Sequence, residues 1–143
     1  MRFMLMVRAT ADSEAGAPPD VEIMTQMMKF NEEMVKAGVM LAGEGLQPSS
    51  KGARIRFSGS KRSVVDGPFA ESKELIAGFW ILQVRSKEEA IEWAKRCPPP
   101  FRTDCELELR QIFEAEDFGH APAELMQKEA ELRATVEAKQ KRQ

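Results

Sequence analysis

The spacing of apolar residues changes along this chain, and each change marks an element. Residues 3–7 are apolar without a break, as in a buried strand. Small residues, Gly16 and Pro18-Pro19 then predict a loop over residues 11–19. From Asp20 the pattern turns helical: Val21, Met24, Met27, Met28, Met34 and Val35 recur at three- and four-residue steps. Gly38 is placed to end that helix with a left-handed cap. Residues 39–42 read as a second strand, and Gly43-Glu44-Gly45 predicts a break leading into loop as far as Gly52.

Period-two alternation in Ala53-Arg54-Ile55-Arg56-Phe57, a turn at Ser58-Gly59-Ser60-Lys61 and a return through Ser63-Val64-Val65 predict a β-hairpin. The stretch VDGPFAESKE follows, residues 65–74. Pro68 cannot donate to a ladder, so a tight hairpin is excluded there and a longer loop with a helical turn is expected. Residues 77–84, AGFWILQV, form a strand apolar on both faces. Ser86 and Glu89 have the spacing of a capping box, and the helix they start should run to about Cys97, where three prolines stop it. Cys105, Leu107 and Leu109 alternate with charged residues in a last strand. A long helix with a thin apolar stripe of Leu125, Met126, Leu132 and Val136 follows Gly119.

This order predicts an α+β fold: a ferredoxin-like βαββαβ with an inserted hairpin, plus a C-terminal helix. Residues 1–118 form the ferredoxin-like domain and residues 119–143 a helical extension. Both helices should cover one sheet face. Yet residues 3–7 and 77–84 are apolar on both faces, with Trp80 and Leu82 on one side and Phe79 and Ile81 on the other. A homodimer packed through the sheet faces accounts for this. Cover by the hairpin and C-terminal segment of the same chain is the alternative.

Composition narrows the chemistry. The 143 residues suffice for one core, and a net charge of -2 with a pI near 5.6 gives no pull toward nucleic acid or an anionic membrane. No apolar run approaches the roughly 18 residues of a membrane span. The N-terminal run resembles a signal peptide only briefly before Asp12 and Glu14, so a cytoplasmic location is expected. Cys97 and Cys105 lack C-x-x-C spacing and read as reduced, inert thiols. With one histidine, His120, and no tyrosine, histidine triads and histidine-rich metal sites lack their residues. No metal or cofactor is expected. Any general acid or base must be a carboxylate, a lysine or a cysteine.

Several residues carry both a structural and a functional reading. Asp66, before Gly67-Pro68, either accepts backbone amides in its turn or faces a ligand. Lys73, between Glu71 and Glu74, either joins a surface ion network or binds an anion and titrates as a base. Glu44 sits either in a turn or beside Asp66 as a second carboxylate. Phe69, Phe79 and Trp80 fill the core or line an apolar cavity, and the methionines of the first helix do likewise. The basic hairpin residues Lys51, Arg54, Arg56, Lys61 and Arg62 protect a solvated edge or meet an acidic partner.

The motif residues Asp66-Gly67-Pro68-Phe69-Ala70-Glu71-Ser72-Lys73-Glu74 also carry a resemblance. With Phe30-Asn31-Glu32-Glu33, Ala37-Gly38-Val39, Gly43-Glu44-Gly45-Leu46-Gln47-Pro48 and residues 90–98, they are similar to the YCII-related proteins, in the branch marked by a DGPF motif. The likeness covers residues 1–113. It implies a dimeric α+β barrel, in a superfamily that includes muconolactone-type isomerases, dehalogenases and cofactor-free monooxygenases of small aromatic compounds. It also implies a link to an extracytoplasmic-function sigma factor. A histidine–aspartate acid/base pair proposed for relatives does not carry over: the first helix offers Met24, Met27 and Met28, and His120 lies beyond the matching residues. Two functions remain open. One is a small-molecule-binding barrel with isomerase- or lyase-type proton transfer, using Asp66 as base or orienting group and Lys73 as partner, with Glu44, Phe69, Glu71 and Trp80 around the ligand. The other is a non-catalytic accessory or sensor protein.

Overall fold

The computed structural model describes residues 1–142. Its contacts divide the chain into a unit of Met1–Ile112 and a second that starts at Phe113. The first unit contains β1 (Arg2–Arg8), α1 (Ala11–Glu14), α2 (Val21–Lys36), β2 (Met40–Gly45), β3 (Ala53–Ser58), β4 (Lys61–Asp66), β5 (Ile76–Gln83), α3 (Lys87–Arg96) and β6 (Leu107–Gln111). The main sheet runs β2-β5-β1-β6 with every neighbouring pair antiparallel. Without the β3–β4 hairpin, which forms its own two-stranded sheet, this is the ferredoxin-like order.

Alternation along the two central strands divides their side chains. Phe3, Leu5 and Val7 of β1 and Trp80 and Leu82 of β5 are buried with Phe30 and Met34 of α2 and Ala90 of α3. Leu5, Leu82 and Met34 are fully buried, each contributing about 1.5–3 kcal/mol of hydrophobic stabilisation. Met4, Met6, Phe79 and Ile81 take the opposite face. The expected division of Trp80 and Leu82 from Phe79 and Ile81 is what the sheet contains.

Local signals explain the helix ends. Asp20 caps α2, its carboxylate accepting from the amides of Glu22 and Ile23. At the other end Gly38 donates to the Val35 carbonyl and Val39 to that of Met34, the paired bonds of a Schellman cap. Ser86 caps α3 by accepting from Glu89, whose carboxylate reaches back to the Arg85 amide.

Two expectations change. Residues 11–19 are not all loop: Thr10 and Ser13 bond reciprocally and start the four-residue α1. Nor does Gly43-Glu44-Gly45 break the chain. Glu44 pairs with Phe79 and Gly45 with Gly78, so backbone bonds to β5 carry β2 through both glycines.

In the second unit a single turn at Ala115–Phe118 precedes α4 (Ala123–Lys141). Phe113 and Phe118 pack with ring centroids 5.1 Å apart, and Arg133 pairs with Glu129 one turn away. Leu125, Leu132 and Val136 are exposed along α4.

Candidate functional site

A groove of about 1120 Å³ opens between α2, the β2 edge and β5, bounded by residues 10–20 and 100–103. Met24, Met27, Met28 and Asn31 follow the three- and four-residue steps of one helical face, and all four line it. Trp80 also lines the groove and is held from two sides. Its indole N–H donates to Asn31 Oδ1 at 2.8 Å, and Phe30 packs edge-on at 5.8 Å between centroids. A buried indole needs such a partner for its N–H. Gly43 makes room for the ring: a Cβ there would stand 2.7 Å from Trp80 Cδ1 and 2.6 Å from Met40 Cε.

Charge gathers at one end. Arg102 Nε binds Asp20 Oδ2 at 2.6 Å and its terminal nitrogen binds Glu22 Oε2 at 3.2 Å. The Arg102 hydrogen bond, helped by the Ile23 amide, holds the Asp20 carboxyl below its ordinary value. Asp20 is therefore an ionised positioning group at neutral pH. Thr10, Ser13, Gln47, Ser50 and Lys51 add polar groups around the apolar walls. Among the described residues, no group of three or more His, Cys, Asp or Glu side chains is placed to hold a metal ion.

The residues singled out from the sequence fall into two sets. Trp80 and Glu44 border the groove. Strand alternation directs the Glu44 side chain away from Gly43 and Gly45, to the sheet face of its partner Phe79. Asp66, Phe69, Glu71 and Lys73 do not line it. Asp66 ends β4, exposed, with no side-chain hydrogen bond or ion pair among the described residues. Phe69 is half-buried beneath the Arg54 guanidinium, 3.9 Å from the ring centroid. Glu71 precedes the helical turn Ser72–Glu74 without capping it. The Lys73 side chain is exposed, while its carbonyl accepts from Arg8, which also pairs with Glu108 at 3.1 Å.

Asn31 was not assigned a role from sequence. The signal was present: it is the polar member of an otherwise methionine stripe at positions 24, 27, 28 and 31, on the helix expected to cover a buried tryptophan.

Comparison with known proteins agrees with the motif. The model of the YCII-related domain matches residues 1–116. The chain belongs to the YCII-related family. An uncharacterized protein of Rhizobium meliloti (strain 1021) is 33% identical over 76 residues, which are 53% of this YCII-related chain. The match spans 61% of that curated relative's length. Among solved structures, this YCII-related chain is similar to a 5-chloro-2-hydroxyhydroquinone dehydrochlorinase from Burkholderia phenoliruptrix AC1100, in complex with 2,5-dihydroxybenzoquinone. The identity is 12% and the TM-score 0.42, over 81% of this chain and 98% of that one.

Proposed function

We propose that this chain binds a small, largely apolar and flat organic molecule in the groove beside Trp80. The supporting observation is the fixed indole: Asn31 takes its N–H and the Gly43 backbone packs close against the ring, so Trp80 is held rigid where it meets the groove. The methionines opposite are soft and adaptable, suited to ligands of varied outline. A space of about 1120 Å³ holds a molecule of metabolite or drug size. Of the two cations on the lining, Arg102 is taken up by Asp20 and Glu22, which leaves Lys51 to meet an electron-rich end of the ligand. Binding, as in a sensor or accessory protein, follows from these features without a catalytic step.

Titration with anilinonaphthalene sulfonate tests this, read on the two tryptophan indole N–H resonances. The Trp80 resonance is expected to shift and saturate. Trp93, stacked on Arg96 of α3, is expected to stay in place. Met28→Asp puts a charge on the groove wall at a residue 63% exposed, so about tenfold weaker binding is expected with little change in thermal midpoint. A Trp80 resonance that does not move at high dye concentration defeats the reading.

A second reading keeps Asp66 in chemistry, as a base with Lys73 nearby in sequence. Its support is that the fold leaves the Asp66 carboxylate unengaged: Ser49 Oγ, not Asp66, accepts from the Phe69 amide. Asp66→Asn is expected to leave the Trp80 titration unchanged, since Asp66 lies outside the groove; loss of turnover in that variant would support this second reading.

The chain is also proposed to form a homodimer through the sheet face that carries Met4, Met6, Phe79 and Ile81.

A further inference from the structure

Two parts of the groove wall are very short elements that also depend on contacts distant in sequence. One is the turn Ser49–Lys51, whose neighbours and members Pro48, Ser50 and Lys51 line the groove but which has no side-chain cap. The other is α1, which contributes Asp12 and Ser13 and is far too short to persist alone. Glu14 and Ser49 join them. The Ser49 amide donates to both Glu14 carboxylate oxygens, at 3.1 and 3.2 Å, and the Ser49 hydroxyl donates to Oε2. From the other side, Ser49 Oγ accepts from the Phe69 amide at 3.0 Å. Gly67 donates to the Gly52 carbonyl at 3.0 Å, and a Cβ on Gly67 would lie 1.8 Å from the Ser49 carbonyl oxygen. Glu14, Ser49, Gly67 and Phe69 all lie outside the groove lining.

We infer that the Gly67–Phe69 segment is a positioning device for the groove, acting through Ser49 on the Ser49–Lys51 turn and through Glu14 on α1. Gly67 lets the two backbones close, and the Phe69 amide orients the Ser49 hydroxyl. That hydroxyl, with its own amide, holds Glu14. Ser49 therefore sets ligand affinity without touching the ligand. This rests on the groove being the ligand site.

The test is the anilinonaphthalene sulfonate titration on Trp80, with Ser49→Ala and Ser49→Thr. Ser49→Ala is expected to weaken binding about five- to tenfold, the effect of losing one or two hydrogen bonds. Ser49→Thr, which restores the hydroxyl, should return affinity to within about twofold of the natural chain. Ser49→Ala keeps the Ser49 amide on Glu14, so adding Glu14→Ala, which removes those two remaining bonds, should weaken binding further. Amide exchange should quicken at Ser50 and Lys51 but not at Leu5 or Leu82 of the central strands. Saturable Trp80 binding in the natural chain, with unchanged affinity in Ser49→Ala, overturns the positioning role and leaves the site standing. Absence of saturable binding in the natural chain removes the site itself. Faster exchange throughout β1 and β5 without rescue by threonine marks Ser49 as a general fold contact and also overturns the inference.

Discussion

Gly67 shows how much of the DGPF stretch depends on an absent side chain. Its charged neighbour Asp66 is the residue that attracts a chemical reading, yet the contact that fits this loop to the chain is backbone on backbone, Gly67 against Ser49. Sequence reveals that a glycine is present, not which surface it meets. Cys97 is a case where sequence and structure agree more closely. Its thiol lies 3.9 Å from Met27 Sδ and 3.3 Å from the Pro98 carbonyl, and burial, with a smaller effect from Cys105, pushes it up to about 12. The exposed Cys105 should therefore react first with iodoacetamide at neutral pH, with Cys97 modified only slowly. The same shift has a signed consequence for stability. Above the ordinary thiol value of 9.0 the unfolded chain releases a proton that the folded chain keeps. Stability should thus fall as pH rises from about 9 towards 12. Urea midpoints across that range check this: Cys97→Ala should flatten the fall, and an equally steep fall in that variant would show that another group is responsible.

At the scale of elements, the legible features were those with a repeating period or a paired cap. The methionine periodicity of α2, the alternation of β6 and the Ser86–Glu89 spacing each report local physics that tertiary packing reinforces. Ser86→Ala should accordingly lower stability by about 1 kcal/mol, measured as a lower urea midpoint with an unchanged slope. No change in midpoint would mean that water replaces the cap without loss. The features that escaped depend on contacts distant in sequence. α1 is four residues long, and Glu14 is held from residue 49. Gly43 and Gly45 read as a break because glycine weakens a strand, but pairing with β5 decides their conformation. The hairpin was recognised from alternation and the glycine turn. Its exposure of Ile55, Phe57 and Val64, at 52%, 70% and 68%, was not, because alternation does not say whether a second layer exists. The site was half legible for the same reason. Trp80 and the methionine stripe carry periodic signals, whereas the pairing of Asn31 with Trp80 spans 49 residues.

For the molecule as a whole, alternation in the sheet sorts its side chains by face. One cross-strand row runs Ala42, Ile81, Met4 and Arg110, and the next runs Glu44, Phe79, Met6 and Glu108. The centre of this face is apolar and three of its four row ends, Glu44, Arg110 and Glu108, are charged, the arrangement of an interface with an apolar core and a polar rim. The helices α2 and α3 pack on the other face, and the hairpin builds a separate sheet. The proposed face-to-face homodimer would use this face, opposite the Trp80 side chain, although Glu44 and Phe79 at one end of it also line the groove. Ile81→Glu places a charge at the centre of the proposed interface but outside the groove lining. An unpaired charge buried there costs several kcal/mol, while a micromolar dimer rests on about 8 kcal/mol. Light scattering at micromolar concentration should therefore give twice the chain mass of 16.1 kDa for the natural protein and a single chain for Ile81→Glu. A natural chain at 16.1 kDa would defeat the dimer. A variant that stayed dimeric would move the interface off this face, since no rearrangement of a centrally placed glutamate leaves its carboxylate solvated between two packed sheets.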